Sequence, residues 1–221
     1  MHLLAASRMS ARLDVSGGCA GRAYSSVAFA IFNYESQLHY DLCLFNQMIL
    51  ETPRLILRPF QDEDIGRLAE LMANRDFMRF SLGPYTCEQT QAVLQKFLTW
   101  NHARLPSQFA VVLRENNDVL GYCGFLHHPE MPEEVEIGYR LDPAYWNRGL
   151  ITEAARAVRD YAFVDLKLPR VISLIHPENI PSRRVAEKMG LRPEKEITFR
   201  DFPTTVFALS REQWQAAHGA G

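Results

Sequence analysis

Along residues 54–210, apolar side chains recur either at every second position or at every third to fourth, in blocks separated by proline, glycine and asparagine. The most informative block is 133–154. Val135, Ile137, Tyr139 and Leu141 alternate with Glu134, Glu136, Gly138 and Arg140, which is the period of a strand. Asp142-Pro143 stops it, because proline offers no N–H to a ladder. After Asn147-Arg148-Gly149 the spacing changes, and Leu150, Ala154, Val158, Tyr161 and Ala162 fall on one helical stripe. A strand, a basic turn with a glycine and a helix N-terminus together make an anion site. The first N–H groups of a helix have no internal acceptor, and the helix dipole favours negative charge there. Phosphate is the obvious guest.

The rest of the chain reads in the same way. LILRPF at 55–60 predicts a strand ended by Pro59. Asp62-Glu63-Asp64 puts acids at the start of a helix whose apolar face is Ile65, Leu68, Ala69, Leu71 and Met72. Phe77, Phe80 and Leu82 lie in an irregular stretch closed by Gly83-Pro84, and Thr86 with Glu88 and Gln89 opens a second helix. Residues 109–113 and 119–125 predict a strand pair across Asn116-Asn117-Asp118. Gly121 and Gly124 there mark a bulge or a close backbone approach. Further on come a strand at 170–175, a helix from 181 or 182 to Met189 with Val185 and Met189 buried, and a helix-ending Gly190. Strands at 191–200 and 204–210 flank a turn at Asp201-Phe202-Pro203, and a short helix begins near Ser210. This succession predicts a mixed α/β (α+β) domain, mostly antiparallel in its first half.

Composition excludes several classes. With 47% hydrophobic and 23% charged residues and a formal net charge of -2, the chain has a globular balance and no nucleic-acid footprint. No apolar run is long enough to span a bilayer. Cys19, Cys43, Cys87 and Cys123 form no C-x-x-C pair, so neither a zinc site nor a redox motif is expected, and reduced thiols in a cytoplasmic protein are the simplest reading. Residues 1–47 differ from the remainder. Arg8, Arg12 and Arg22 stand among serines with few acids, a weak likeness to a transit peptide, but a poorly ordered extension before a domain at 48–221 is the expectation.

Three phrases now support a resemblance: TPRLILRPF at 52–60, VEIGYRLDPAYWNRGLITEA at 135–154 and HPENIPSRRVAEKMGL at 176–191. In their order and spacing, residues 52 to about 214 resemble the GNAT superfamily of N-acetyltransferases, in particular its RimJ/RimL-like branch. The resemblance implies a twisted, mostly antiparallel seven-stranded sheet, splayed between its fourth and fifth strands and flanked by about four helices. It implies acetyl-CoA as donor and a primary amine as acceptor, either a protein N-terminus or a small molecule. No metal, nucleic acid or membrane is implied, and monomer or homodimer are both compatible. The family's phosphate turn, Gln/Arg-x-x-Gly-x-Gly/Ala, is written here Trp146-Asn147-Arg148-Gly149-Leu150-Ile151. Gly149 matches, Trp146 departs from Gln/Arg, and Ile151 stands where a small residue is usual. Backbone groups from Asn147 through Thr152 would hold the pyrophosphate.

Amine acetylation needs an ammonium to lose a proton, a thioester carbonyl to be polarised and a thiolate to be stabilised. Glu136 is the first candidate for general base or amine anchor. Glu134, on the same face by alternation, is the second, and two like charges there would oppose each other's ionisation. By resemblance, backbone N–H groups around Tyr139 and Leu141 would polarise the carbonyl, Asn179 would bond the pantetheine amides, and Ser182 would meet the sulfur or act as acid. The tyrosine that many superfamily members use for the thiolate is replaced by Ala186. Asn179 and Ser182 are equally good helix caps. Arg148, Arg183 and Arg184 are candidate phosphate ligands, and His127 and His128 are expected as a surface pair at a strand end.

A non-catalytic acyl-CoA-binding or regulatory domain is the alternative, suggested by Ile151 and the missing tyrosine and opposed by Glu136, Asn179 and Ser182. A dinucleotide-dependent oxidoreductase is excluded, because no G-x-G-x-x-G follows a strand.

Overall fold

A single parallel pairing organises the sheet. In the computed structural model, which describes residues 48–103 and 105–218, eight strands form one sheet. They are β1 (Leu50–Glu51), β2 (Leu55–Pro59), β3 (Gln108–Leu113), β4 (Val119–His128), β5 (Met131–Leu141), β6 (Arg170–Ile175), β7 (Arg192–Phe199) and β8 (Phe202–Ser210), in the spatial order β1-β2-β3-β4-β5-β6-β8-β7. All described neighbours are antiparallel except β5 and β6, which run parallel and pair at one position, Glu136 with Ile172. Beyond it the strands diverge. The connection from β5 to β6 carries a helix, as a parallel crossover requires.

Among the described residues five α-helices accompany the sheet: α1 (Ile65–Ala73), α2 (Cys87–His102), α3 (Leu150–Val164), α4 (Ile180–Lys188) and α5 (Arg211–His218). Ala110, Val112 and Tyr122 pack with Leu68, Leu71, Met72, Leu94 and Phe97 of α1 and α2, so these helices cover one face of β2–β4. On the opposite face Phe109 and Phe125 meet Tyr161 of α3 at ring distances of 6.2 and 6.1 Å. Leu150, Ala154, Val158, Tyr161 and Ala162 are all buried, as the helical stripe predicts. Thr86 caps α2 by accepting the N–H of Gln89, whose side chain accepts the N–H of Thr86 in return. No helix among the described residues is long and apolar enough to cross a membrane.

Both strand glycines have physical causes. A Cβ on Gly124 would lie 2.4 Å from the Ser107 carbonyl oxygen, and one on Gly121 2.1 Å from that of Arg140. Gly121 also sits beside a shift in the β3–β4 register.

Four expectations are corrected. The sheet gains an eighth strand, because Leu50 and Glu51 pair with Leu57 and Ile56. The last hairpin turns at Arg200-Asp201, both at positive φ (48° and 68°), and Phe202 and Pro203 already belong to β8. Such a pair of left-handed residues matches the twist of the flanking strands. Helix α4 starts at Ile180 and leaves Val185 half-buried, with Ala186 taking the buried position beside Met189. His127 and His128 are not a surface pair: His127 is half-buried and His128 is 9% exposed, because β4 runs on to His128 and β7 packs against it. Residues 1–47 lie outside the described residues, and so does the extension expected there.

Candidate active site

The site begins where the sheet opens. Asp142 N–H donates to the Leu120 carbonyl, and Arg140 stands opposite Tyr122, so the even-numbered residues at the end of β5 face β4. The N–H groups of Tyr139 and Leu141 therefore point to the other edge, where β6 has moved away. Side chains take over the ladder at the point of divergence. Ser173 Oγ donates to the Ile137 carbonyl at 2.8 Å, and Glu136 Oε1 accepts the Leu174 N–H at 3.2 Å. Glu136 is 7% exposed, and its other oxygen lies 2.6 Å from His128 Nε2.

Glu134 does not join it. Its carboxylate accepts from Arg170 Nε at 3.0 Å, and the same guanidinium reaches Glu194. The hydrogen bonds that Arg170 donates to Glu194 and then to Glu134 push its guanidinium further above the ordinary range, against its partial burial. The mutual repulsion expected of two neighbouring carboxylates is thus answered by separate partners.

The turn after β5 is the candidate anion cradle. Asp142 accepts the Ala144 N–H, Pro143–Tyr145 forms one 3₁₀ turn, and Trp146 Nε1 donates to the Leu141 carbonyl at 2.7 Å. The indole thereby ties the turn to the strand end, which gives a physical reason for tryptophan at this position. Asn147 and Gly149 both take left-handed backbone conformations, φ 62° and 76°. Gly149 is the N-cap of α3, and its carbonyl accepts the Glu153 N–H, the first bond of the helix. The N–H groups of Leu150, Ile151 and Thr152 have no intrahelical acceptor. Asn147, Arg148 and Gly149 are exposed, Ile151 and Thr152 half-buried, and Leu150 is buried in the core. The Arg148 guanidinium stands 5.1 Å over the Tyr145 ring.

One acid in the first turn of α3 would oppose an anion there, and it is occupied. Glu153 accepts from Thr52 Oγ1 (2.6 Å), from the Arg54 N–H (3.0 Å) and from Arg54 Nε (2.7 Å). Burial alone would raise the Glu153 carboxyl, but these donors outweigh it and hold it below its ordinary range. Arg54 also donates to the Arg148 carbonyl at 2.9 Å, bracing the turn from outside.

This arrangement can be compared with known proteins. Residues 54–192 match the family model described as the acetyltransferase (GNAT) domain. The chain belongs to the GNAT family. It is 33% identical over 148 residues to the uncharacterized N-acetyltransferase YnaD of Bacillus subtilis, covering 66% of this chain and 84% of that protein. Among solved structures it is similar to a GNAT-family acetyltransferase from Bacillus anthracis, at 30% identity and a TM-score of 0.65, over 75% of this chain and 99% of that one. RimL, a ribosomal L7/L12 alpha-N-protein acetyltransferase solved in complex with coenzyme A, shares the fold at 17% identity and a TM-score of 0.65, again over 75% and 99% of the two chains.

In this GNAT domain Asn179 is the N-cap of α4, its Oδ1 accepting the Ser182 N–H at 3.2 Å. The Ser182 carbonyl in turn accepts the Tyr139 hydroxyl at 2.8 Å. Tyr139 thus spends its side chain anchoring α4, and burial holds its phenol well above the ordinary range. Only its main chain is left to face the opening. Ala186 is fully buried against the sheet. Arg183 donates to the Pro177 carbonyl at 3.4 Å, and Arg184 is exposed.

Two features escaped the sequence reading. Arg140 donates to the Phe77 carbonyl at 2.7 Å and to Ser81 Oγ, fastening the loop between α1 and α2 to β5. That loop also reaches the end of β6, where Phe80 lies 5.8 Å from the His176 ring. Arg67 of α1 binds Asp142 and the Val119 carbonyl, linking the helices of one face to the start of the cradle. Nothing local in the sequence marks these pairs, which join residues 52 to 75 positions apart.

Proposed function

We propose that this GNAT protein is an N-acetyltransferase that moves an acetyl group from acetyl-CoA to a primary amine, by direct attack while donor and acceptor are both bound. The observation that carries this reading is the opened edge of β5. One end of it holds a buried carboxylate, the other leads into an exposed turn and a helix start with free N–H groups, and two main-chain N–H groups face the gap between them.

Bound acetyl-CoA would supply the activated acetyl group as a thioester. The residues fit such a ligand: the left-handed Asn147 and Gly149 expose the turn, the N–H groups of Leu150, Ile151 and Thr152 point outward from α3, and Glu153 is neutralised by Arg54 and Thr52. Arg148, its guanidinium over the Tyr145 ring, would add a positive charge near the pyrophosphate. The Tyr139 and Leu141 N–H groups are placed to polarise a carbonyl in the gap. Asn179 keeps its amide N–H₂ for a pantetheine amide while its oxygen caps α4, and the Ser182 hydroxyl would be the donor to the leaving sulfur. Glu136 takes the ammonium proton, directly or through a water. Glu134, held by Arg170, is the weaker candidate for that task.

The acceptor approaches from the face of α1 and α2, past the loop that Arg140 fastens. Both a protein N-terminus and a small amine suit an entrance bordered by Phe80 and His176. Thiol release from acetyl-CoA, measured with spermidine and with peptides carrying free Ser, Ala or Met N-termini, tests the reading. Turnover with one class identifies the acceptor. Tight acetyl-CoA binding with no turnover on any amine would instead make the protein an acyl-CoA-binding domain.

A further inference from the structure

We propose that His128 is the positioning residue of Glu136: its Nε2–H donates to Oε2 and turns the free lone pair of Oε1 toward the opening between β5 and β6. The inference rests on the reading of Glu136 as the base and names what orients it.

The pair is buried and close, with His128 Nε2 2.6 Å from Glu136 Oε2 and side-chain exposures of 9% and 10%. A carboxylate oxygen has two lone pairs. Each oxygen of Glu136 spends one, on His128 and on the Leu174 N–H. The contrast with Glu134 is chemical. A guanidinium, as Glu134 has in Arg170, favours the anion and opposes protonation. The single ring N–H of His128 instead orients the Glu136 carboxylate through one donor.

The backbone places the histidine deliberately. Leu126 pairs with Glu136 and His127 with Val135, so a regular ladder would set His128 opposite Glu134. The register instead shifts between His127 and His128, and His128 pairs with Met131. Glu134 is displaced from the position opposite His128, and the imidazole reaches diagonally to Glu136 on the same face. The Phe199 ring of β7 closes over the imidazole at 5.0 Å and 73°, and the Glu130–Arg200 ion pair, 3.1 Å, joins the two hairpins beside it.

Proton transfer then breaks an N–H bond of the acceptor ammonium and forms an O–H bond at Glu136 Oε1, directly or through one water. His128 keeps its proton throughout, and Glu136 returns the acquired proton to water after the product leaves.

Two readouts on the full chain test this. The first needs no acceptor. In protein labelled with ¹⁵N-histidine, His128 should show a slowly exchanging Nε2–H proton, and this signal should vanish in folded Glu136→Leu. An Nδ1–H tautomer, or a signal unchanged by Glu136→Leu, would overturn the proposal. The second is kinetic, using spermidine or the Ser-, Ala- or Met-terminated peptide that turns over. His128→Leu should lower kcat by roughly tenfold to a hundredfold, the kinetic equivalent of a hydrogen bond to a charged group, with the KM for acetyl-CoA unchanged. His128→Gln, whose amide nitrogen replaces Nε2, should recover most of kcat, whereas His128→Asn, which replaces Nδ1, should not. If Glu136→Gln loses activity while folded His128→Leu keeps it, the role of His128 is refuted and the base stands. If both variants keep wild-type kcat, the reading of Glu136 as base fails.

Discussion

The two ends of the opened strand are built on different principles. The cradle at 142–153 is made of main chain: left-handed residues, unpaired N–H groups and a helix start, all within one short stretch. The region around Glu136 is made of groups from four strands: the side chains of Glu136 of β5, His128 of β4 and Phe199 of β7, and the main-chain N–H of Leu174 of β6. A phosphate is recognised by generic backbone donors, so contiguous residues suffice. A proton acceptor must be desolvated, oriented and accessible at once, and no single segment can supply the walls for that. The donor end is therefore local in sequence and the acceptor end is not.

Substitutions at the two ends should affect different kinetic constants. The largest effect is expected at the base. Glu136→Gln keeps an acceptor for the Leu174 N–H and loses the proton-accepting group, so kcat should fall about a hundredfold or more, with little change in the KM for acetyl-CoA. Steady-state kinetics with both substrates varied would show this, and a rise confined to that KM would move Glu136 to the donor side.

At the cradle, Gly149→Val meets no clash, since a Cβ would lie 3.6 Å from Arg54 Nη2, but it forces a β-branched residue to φ 76°. The KM for acetyl-CoA should rise roughly tenfold, the equivalent of that backbone strain, with kcat within about twofold. Unchanged dependence on acetyl-CoA would remove the turn from the site.

Arg140→Met tests whether the loop at 77–81 belongs to the acceptor end. It frees the Phe77 carbonyl and Ser81, so the KM for the acceptor should rise a few-fold, about what one lost hydrogen bond produces, while that for acetyl-CoA stays constant. A change in the acetyl-CoA constant instead would show that the two ends are not separable.

The smallest effect concerns acid stability. The Glu153 carboxyl is held below its ordinary value in the folded chain, so its contribution is present above that value and is lost as pH falls through the lowered one. Glu153→Gln should lower the melting temperature near neutral pH and flatten its decline on acidification. Parallel melting curves of the two proteins at pH 7 and on the acid side would reveal the difference, and identical acid slopes would contradict the assignment.

The same division explains what could be read in advance. The alternation at 134–141 predicts β5 and the face shared by Glu134 and Glu136, because side chains in a strand repeat every second residue. Gly149 and the stripe from Leu150 to Ala162 predict the start and buried face of α3. Thr86 with Gln89 predicts the second helix from capping chemistry alone. Register was not legible: the shift at His127/His128 leaves no compositional trace, so the histidines read as a surface pair. Nor was the turn at Arg200-Asp201, since neither residue is the glycine or asparagine that usually marks positive φ.

By itself, then, the sequence determined the order of elements, the glycine turn before α3 and the residue types available for chemistry, because periodicity, capping and turn preferences act over a few residues. Only the tertiary structure gave the two glutamates different partners. Arg170, 36 positions from Glu134, claims one, and His128 with the Leu174 N–H claims the other. Which partner a carboxylate meets depends on strand register and on where the sheet opens, and both are set by packing across the whole domain.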